Sequence, residues 1–440
     1  MTNNLSIVDA DVIINVVEIN DRHGVGILLQ RIFKDRSRII SIRTLNLYGG
    51  EQSFASYDLL IGVGLSRAEI FKKVQAALSG STVRRILCIP YQTEEALIAL
   101  AVREISGAEI CTYLMDDQNI LATGISDEVM SELLAQSSLR LAISPEMRDV
   151  YQAKYKVPIY FAPPVAPANL MCNVTDPFLL TPEHKQLGTI FGNIWSFTWL
   201  KLLRTMTKGA GIQLDWYGNT GSDWYFSDRK KLSNDGIVEK GFLPTEADVV
   251  AVLQNYAYVV VPSGTLDLRD NNFATSWLSL PSRIPFLLAT ANTPMIILGS
   301  PSTAAARFVE RVGVGTVADY DPVSFQAAVT YITQPLVQQR MRENAFKIAH
   351  QFINEQMDEW IWQSLALGKP VDDRFEAMLI NSPDYLVSFT TCLNIIREQQ
   401  AEIERSKVIT RLKSLLIRYV QRYPQREKFR QIWMQFRGKI

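Results

Sequence analysis

The sequence predicts an α/β protein built from two parallel-sheet domains and followed by a helical extension. Three features predict it. Short apolar runs rich in Val and Ile alternate with helical periods, the pattern of parallel strands covered by helices on both faces. A segment reading Ala162-Pro163-Pro164-Val165-Ala166-Pro167 separates two such series, and successive prolines hold a backbone extended. The chain has 440 residues, whereas single cores stop growing at roughly 250–300.

The first series spans 1–165. Strands are expected at 12–17, 39–42, 59–63, 85–89, 110–115, 139–143 and 159–161, with helices at 27–34, 66–78 and 93–105. Ser144-Pro145 supplies an N-cap and a proline at the first helical position, so a further helix runs to about Tyr155. Between the first strand and first helix lie Gly24 and Gly26, which let backbone approach a ligand closely. Their spacing is not that of a dinucleotide fingerprint. A linker covers 166–186.

The second series spans 187–352. A strand at 187–191 meets a loop at Gly192-Asn193, and a helix follows through Trp199 to Met206. The strand at 213–217 ends at Gly218-Asn219. Thr245, with Asp248 three residues on, caps the next helix. The strand 258–261 breaks at Pro262-Ser263-Gly264, and Leu280-Pro281-Ser282-Arg283 leads into a helix at 284–291. A turn at Asn292-Thr293-Pro294 feeds a strand at 295–298. Such a unit sets a helix N-terminus at the carboxyl edge of a parallel sheet, where free N–H groups favour an anion, and Arg283 adds fixed charge. The diphosphate of an activated sugar suits this place. Helices follow Asp321-Pro322 and Pro335. A closing segment at 353–367, with Trp360 and Trp362, is expected to pack back on the first domain, and 372–440 to form a basic helical extension.

Composition is that of a soluble globular protein, 47% hydrophobic and 20% charged. Charge is uneven. From Arg405 onward stand 11 Lys/Arg and one acid, Glu427, so this segment carries +10 and the rest of the neutral chain −10. The segment 405–440 is expected to meet an anionic membrane surface, to pair with a partner helix, or to be a solvated face. Nucleic acid is not expected, since the main body is acidic. Cys88, Cys111, Cys172 and Cys392 lack metal or redox spacing, which suggests reduced thiols in the cytoplasm. No signal-peptide pattern or membrane-spanning run appears, so a cytoplasmic location, peripheral to the membrane, is expected. Three scattered histidines, and Asp9-Ala10-Asp11 ahead of the first strand, give no metal cluster.

Several stretches occur in a telling order: Arg22-His23-Gly24-Val25-Gly26, Ala142-Ile143-Ser144-Pro145-Glu146-Met147, Phe191-Gly192-Asn193-Ile194, Trp216-Tyr217-Gly218, Lys240-Gly241-Phe242-Leu243, Val261-Pro262-Ser263, Leu280-Pro281-Ser282-Arg283, Thr293-Pro294-Met295-Ile296 and Arg340-Met341-Arg342-Glu343-Asn344-Ala345. Together, over about 12–365, they resemble the group 4-like branch of the GT-B glycosyltransferases. The resemblance implies two Rossmann-like domains facing across a cleft, with donor bound by the second domain and acceptor by the first. It implies transfer of a sugar from a nucleotide-diphospho-sugar to a glycan or lipid-linked acceptor in cell-surface polysaccharide assembly, without a metal or further cofactor, and with retention as the family default. A non-catalytic protein that binds a sugar nucleotide or a partner glycosyltransferase is the first alternative; a sugar-nucleotide epimerase is the second, disfavoured because it needs several cleft acids and histidines and histidine is scarce here. The family's paired glutamates, eight residues apart, fall here on Leu278/Ser279 and Phe286/Leu287, so that signature is missing.

Carried over by position, Gly24, Gly26, Gly192, Asn193, Lys201 and Gly218 would line the donor. Gly241 and Phe242 would sit against the base through the backbone, and Ser263, Ser282 and Arg283 near the phosphates. Arginine suits phosphate because its planar fork donates several hydrogen bonds at once. Asp116 and Asp117 follow the strand 110–115 at its carboxyl end, so either could be a base for an acceptor hydroxyl or a turn acid. His23 could touch acceptor or phosphate or be a satisfied surface histidine. Asp267 and Asp270 read as a solvated loop, with donor contact the alternative. Trp195, Trp199, Trp216 and Trp224 read as packing aromatics, with a sugar platform the alternative.

Overall fold

The computed structural model describes residues 7–52, 54–172, 187–194, 196–218, 229–267, 270, 272–380 and 405. Both sheets belong to one compact unit within residues 1–383. The first domain runs β1 (Ala10–Asn15), α1 (Gly24–Phe33), β2 (Ile39–Arg43), β3 (Tyr57–Leu60), α2 (Arg67–Ala77), β4 (Val83–Cys88), α3 (Thr93–Ser106), β5 (Glu109–Leu114), α4 (Asp127–Gln136), β6 (Ser137–Ala142), α5 (Pro145–Tyr155) and β7 (Tyr160–Phe161). Its strands form one parallel sheet in the order β3-β2-β1-β4-β5-β6-β7. Val12, Ile14, Ile40, Ile86 and Ile110 pack beneath the alanine-rich α3. Burying such side chains contributes about 1.5–3 kcal/mol each.

β1 starts two residues before the apolar run that predicts it. Asp11 enters the sheet because Arg84 and Arg85 both donate to its carboxylate, at 2.7 to 3.1 Å, and neutralise a buried charge. α4 is absent from the sequence reading. Ser126 caps it and only Met130, Leu133 and Leu134 are buried, so its apolar period is thin.

The second domain runs β8 (Leu187–Phe191), α6 (Phe197–Ala210), β9 (Gln213–Tyr217), α7 (Arg229–Asn234), β10 (Ile237–Gly241), α8 (Glu246–Leu253), β11 (Val259–Pro262), α9 (Phe273–Leu278), α10 (Arg283–Thr290), β12 (Met295–Leu298), α11 (Ala304–Val312), β13 (Gly315–Ala318), α12 (Pro322–Ile332) and α13 (Pro335–Ile348). The parallel order is β10-β9-β8-β11-β12-β13. α11 and β13 also escape the sequence reading. Three alanines open the helix, and the strand is only Gly-Thr-Val-Ala.

In each sheet the strand order reverses once, at β1/β4 and at β8/β11. Ligands of open α/β sheets bind outside the carboxyl ends of strands at such switch points. The chain then returns to the first domain. Ala166 exchanges backbone bonds with Phe352 and Asn354, at 2.7 and 2.8 Å, and α14 (Met357–Leu367) lies against β5, β6 and α1. Trp362 there stacks 4.3 Å from the Arg85 guanidinium. No described helix is long and apolar enough to cross a membrane. Of the expected basic extension, 381–440 apart from Arg405 lies outside the described residues, as do linker residues 173–186.

Candidate functional site

Four loops at the second switch point build one side of the site. After β8 the chain turns at Gly192, whose φ of +78° suits glycine, and its N–H donates to Tyr217 O at 2.8 Å. Arg283, the first residue of α10, reaches back under this turn. Its Nη1 donates to Phe191 O at 3.0 Å and its Nη2 to Asn193 O. A β-carbon on Gly192 would stand 3.7 Å from the guanidinium carbon. No carboxylate among the described residues pairs with Arg283, and burial pushes its guanidinium down to about 10. Gly218 is a packing glycine, since a β-carbon there would meet Gly192 O at 2.5 Å. Ser263 is buried, and its carbonyl accepts from Tyr320 Oη at 2.9 Å. Gly241, at φ +87°, looks onto open space, and Phe242 beside it is 72% exposed. Lys201 is an exposed residue of α6.

The first switch point faces this from the other domain, and its acids are already engaged. Glu18 accepts backbone N–H groups of Leu47, Tyr48 and Gly50 at 2.8 to 3.2 Å. His23 is the N-cap of α1: Nδ1 accepts from Gly26 N at 3.2 Å, and Nε2 lies 2.7 Å from Glu18 O. That pairing selects the neutral tautomer, and burial lowers the ring's basicity. Gly26 is held by packing, because a β-carbon would fall 2.2 Å from Asn20 O. Gly24 is exposed and fronts the other domain, with Ser282 Oγ 3.7 Å from where its β-carbon would be.

The adjacent aspartates separate cleanly. Asp117 is buried and accepts four backbone N–H groups, from Asn119, Ile120, Leu121 and Ala122, plus Tyr151 Oη at 2.8 Å. It is the anchor of its own loop. Asp116 is half-buried and points across the domain boundary, where Ser279 Oγ donates to its Oδ1 at 3.0 Å. Tyr91, in the loop after β4, is its second hydrogen-bond partner. Burial pushes the Asp116 carboxyl up to about 6. Beside it in the seam, Ser144 Oγ donates to Leu278 O, and Arg307 Nε donates to Glu146 at 3.1 Å. Arg31 of α1 bonds Glu246 of α8 and lies 5.1 Å over Phe286.

No family model matches the sequence, and no curated protein matches it. Solved structures do. Anabaena Alr3699/HepE, crystallised with UDP and glucose, superposes with a TM-score of 0.56 at 12% identity, over 81% of this chain and 99% of that one. A UDP-N-acetylglucosamine 2-epimerase gives 0.52 at 12% identity, covering 82% and 96%. The UDP-forming α,α-trehalose-phosphate synthase of Burkholderia xenovorans, in complex with glucose-6-phosphate, gives 0.51 at 8% identity, covering 81% and 100%. The chain has the GT-B fold. At these identities the likeness is one of fold.

Within the GT-B cleft the two positions expected for the paired glutamates are filled otherwise. In one register they are the buried Leu278 and Phe286, the latter 5.7 Å from Phe191; in the other they are Ser279, which bonds Asp116, and the buried Leu287. Trp199 and Trp216 lie in the core, as packing aromatics, and Trp216 Nε1 donates to Gly192 O at 2.9 Å. Trp195 and Trp224 lie outside the described residues. The solvated-loop reading of Asp270 is corrected. It is buried and accepts N–H bonds from Leu266 and Asn272, at 3.2 and 2.9 Å, because the loop closes on itself. The structure brings Gly24, Ser282, Arg283, Gly192 and Asn193 together, while Lys201 makes no side-chain bond to them. Sequence reasoning missed Tyr91 and Ser279. A lone hydroxyl inside the apolar run Trp277-Leu278-Ser279-Leu280 was the available signal.

Proposed function

We propose that this chain is a glycosyltransferase that moves a sugar from a nucleotide-diphospho-sugar to a glycan or lipid-linked acceptor. The observation that carries the reading is Arg283: a guanidinium tucked under the glycine turn at a switch point, at a helix N-terminus, without a carboxylate partner among the described residues. Its bonds to Phe191 O and Asn193 O shape the turn whose backbone would meet the diphosphate. Its charge then stabilises the leaving nucleoside diphosphate. Gly241 and the exposed Phe242 offer a surface to a base. Asp116 is the residue we assign to the acceptor, as a base for its hydroxyl. Asp117 and His23 serve as loop anchor and helix cap. The neighbours crystallised with UDP, or named for UDP-linked substrates, agree with a nucleotide-sugar site. Assembly of a cell-surface polysaccharide, at the cytoplasmic side of a membrane, is the pathway we favour.

A second reading, a sugar-nucleotide binder without turnover, is favoured by the absence of a carboxylate at Leu278/Ser279 and Phe286/Leu287, where the paired glutamates were expected. A thermal-shift panel of UDP-, GDP-, ADP- and TDP-sugars tests both. One nucleotide class should raise Tm through binding linkage, and Arg283→Ala should abolish the rise. No response to any of them sinks both readings. Binding without donor consumption selects the binder.

A further inference from the structure

We propose that Ser279 is a positioning residue by which the second domain holds Asp116: its hydroxyl reaches across the cleft, fixes the carboxylate in place and favours its ionised form, so that Asp116 can serve as the acceptor's base. The inference rests on the assignment of Asp116 to the acceptor. Asp116 belongs to the first domain, following β5. Ser279 belongs to the second, immediately after α9, and is itself buried. The 3.0 Å bond between them joins parts 163 residues apart in sequence. Its place is fixed from both sides. Ser279 N donates to Thr275 O at 2.9 Å, and the preceding carbonyl, Leu278 O, accepts from Ser144 Oγ.

A carboxylate offers about four lone-pair sites. Ser279 and Tyr91 use two, which leaves acceptor capacity for a substrate hydroxyl on a group that is still partly exposed. A hydrogen bond to the ionised form favours that form, and burial opposes it. At Asp116 burial dominates, raising the carboxyl to about 6, with Ser279 and Tyr91 pulling it down and Asp117 adding a like charge. These are the titratable and donor groups that act on it from the loops after β4 and β5 and from the end of α9. Removing the Ser279 hydroxyl alone, with burial kept, leaves the proton held more tightly.

The test follows the carboxyl directly. In protein labelled with carbon-13 at the aspartate carboxyl, the Asp116 resonance is assigned by its loss in Asp116→Asn and titrated by NMR. Ser279→Ala should move the midpoint up by about 0.5–1 pH unit, and Ser279→Thr should restore it. Ser144→Ala, which loosens the adjoining Leu278 carbonyl but keeps the Ser279 hydroxyl, should move it by less than Ser279→Ala does. An unmoved midpoint in Ser279→Ala, no restoration by threonine, or an equal shift in Ser144→Ala overturns the proposal. The outcome is independent of the nucleotide-sugar panel, so failure of one does not imply failure of the other.

Discussion

The two sheet edges that face one another are built on opposite principles. The first is acidic and internally satisfied. Glu18 is wrapped by three backbone N–H groups, Asp117 by four, and His23 spends both ring nitrogens on its own loop. The second keeps a guanidinium with no carboxylate partner among the described residues, a glycine facing open space and an exposed phenylalanine. A saturated edge presents little spare hydrogen-bonding capacity, and Asp116, with two partners, keeps some of it. An edge with spare charge and spare space is where a ligand is still needed. Under the proposed function, the first domain's conspicuous residues are mostly structural, and Arg283 with its glycine turn is what the second offers to a ligand.

The sharpest way to break the comparison is to unsaturate the first edge. Asp117→Asn leaves one acceptor oxygen and turns an amide donor toward backbone donors. It should lower unfolding stability by about 3 kcal/mol in urea melts, since bonds to a charged acceptor are worth about 1.5–3 kcal/mol each. A loss below about 1 kcal/mol would mean that the loop does not depend on Asp117.

Next in size is a pH effect at Asp116. Its folded pKa is raised, so the stability it contributes is full below the unfolded value of 3.8 and is lost as pH rises through about 6. The shift corresponds at most to about 3 kcal/mol, and partial exposure brings the expected figure to about 2 kcal/mol. Asp116→Asn should therefore gain stability over wild type by that amount between about pH 4 and pH 7, because the substituted amide does not titrate there. Denaturation at both ends of this window measures it. A constant difference would show that the carboxyl is not perturbed. Glu95, fully buried and pushed up to about 7, titrates higher, so the comparison must be made variant against wild type at each pH.

A smaller effect separates cap from chemistry at His23. His23→Ala removes a cap bond and should cost about 1 kcal/mol, whereas His23→Asn, a good N-cap, should recover most of it. If donor consumption in the asparagine variant stays near wild type while stability returns, the ring is a cap alone. A lost activity with intact stability would restore it to the chemistry.

Much of this was legible beforehand and some was not. Strands buried on both faces, such as Met295–Leu298 and Val259–Pro262, announce themselves because apolar residues dominate there. Arg283 was legible as a cation at a helix start, but not that two of its donors would be spent on carbonyls 90 and 92 residues away. The Asp116/Asp117 choice was closed to local reading because half of it lies far away in sequence. One is decided by a loop that folds onto it, the other by a serine on another domain. Position along a strand identifies the edge of a sheet. Which side chain on that edge stays free depends on contacts distant in sequence.

The smallest stability effect should come from Phe242, and it sharpens the contrast most directly. Because the ring is 72% exposed, Phe242→Ala should alter unfolding stability by less than about 0.5 kcal/mol. Stacking of a base on an aromatic face is worth about 1–3 kcal/mol, so the same change should weaken nucleotide binding about tenfold or more. Titration calorimetry with the nucleotide that responds in the thermal panel would measure this against wild type. Weaker binding at unchanged stability would mark the second edge as one that holds a residue outside the core for a ligand. Unchanged binding would remove Phe242 from the site and leave Arg283 and its glycine turn to carry recognition.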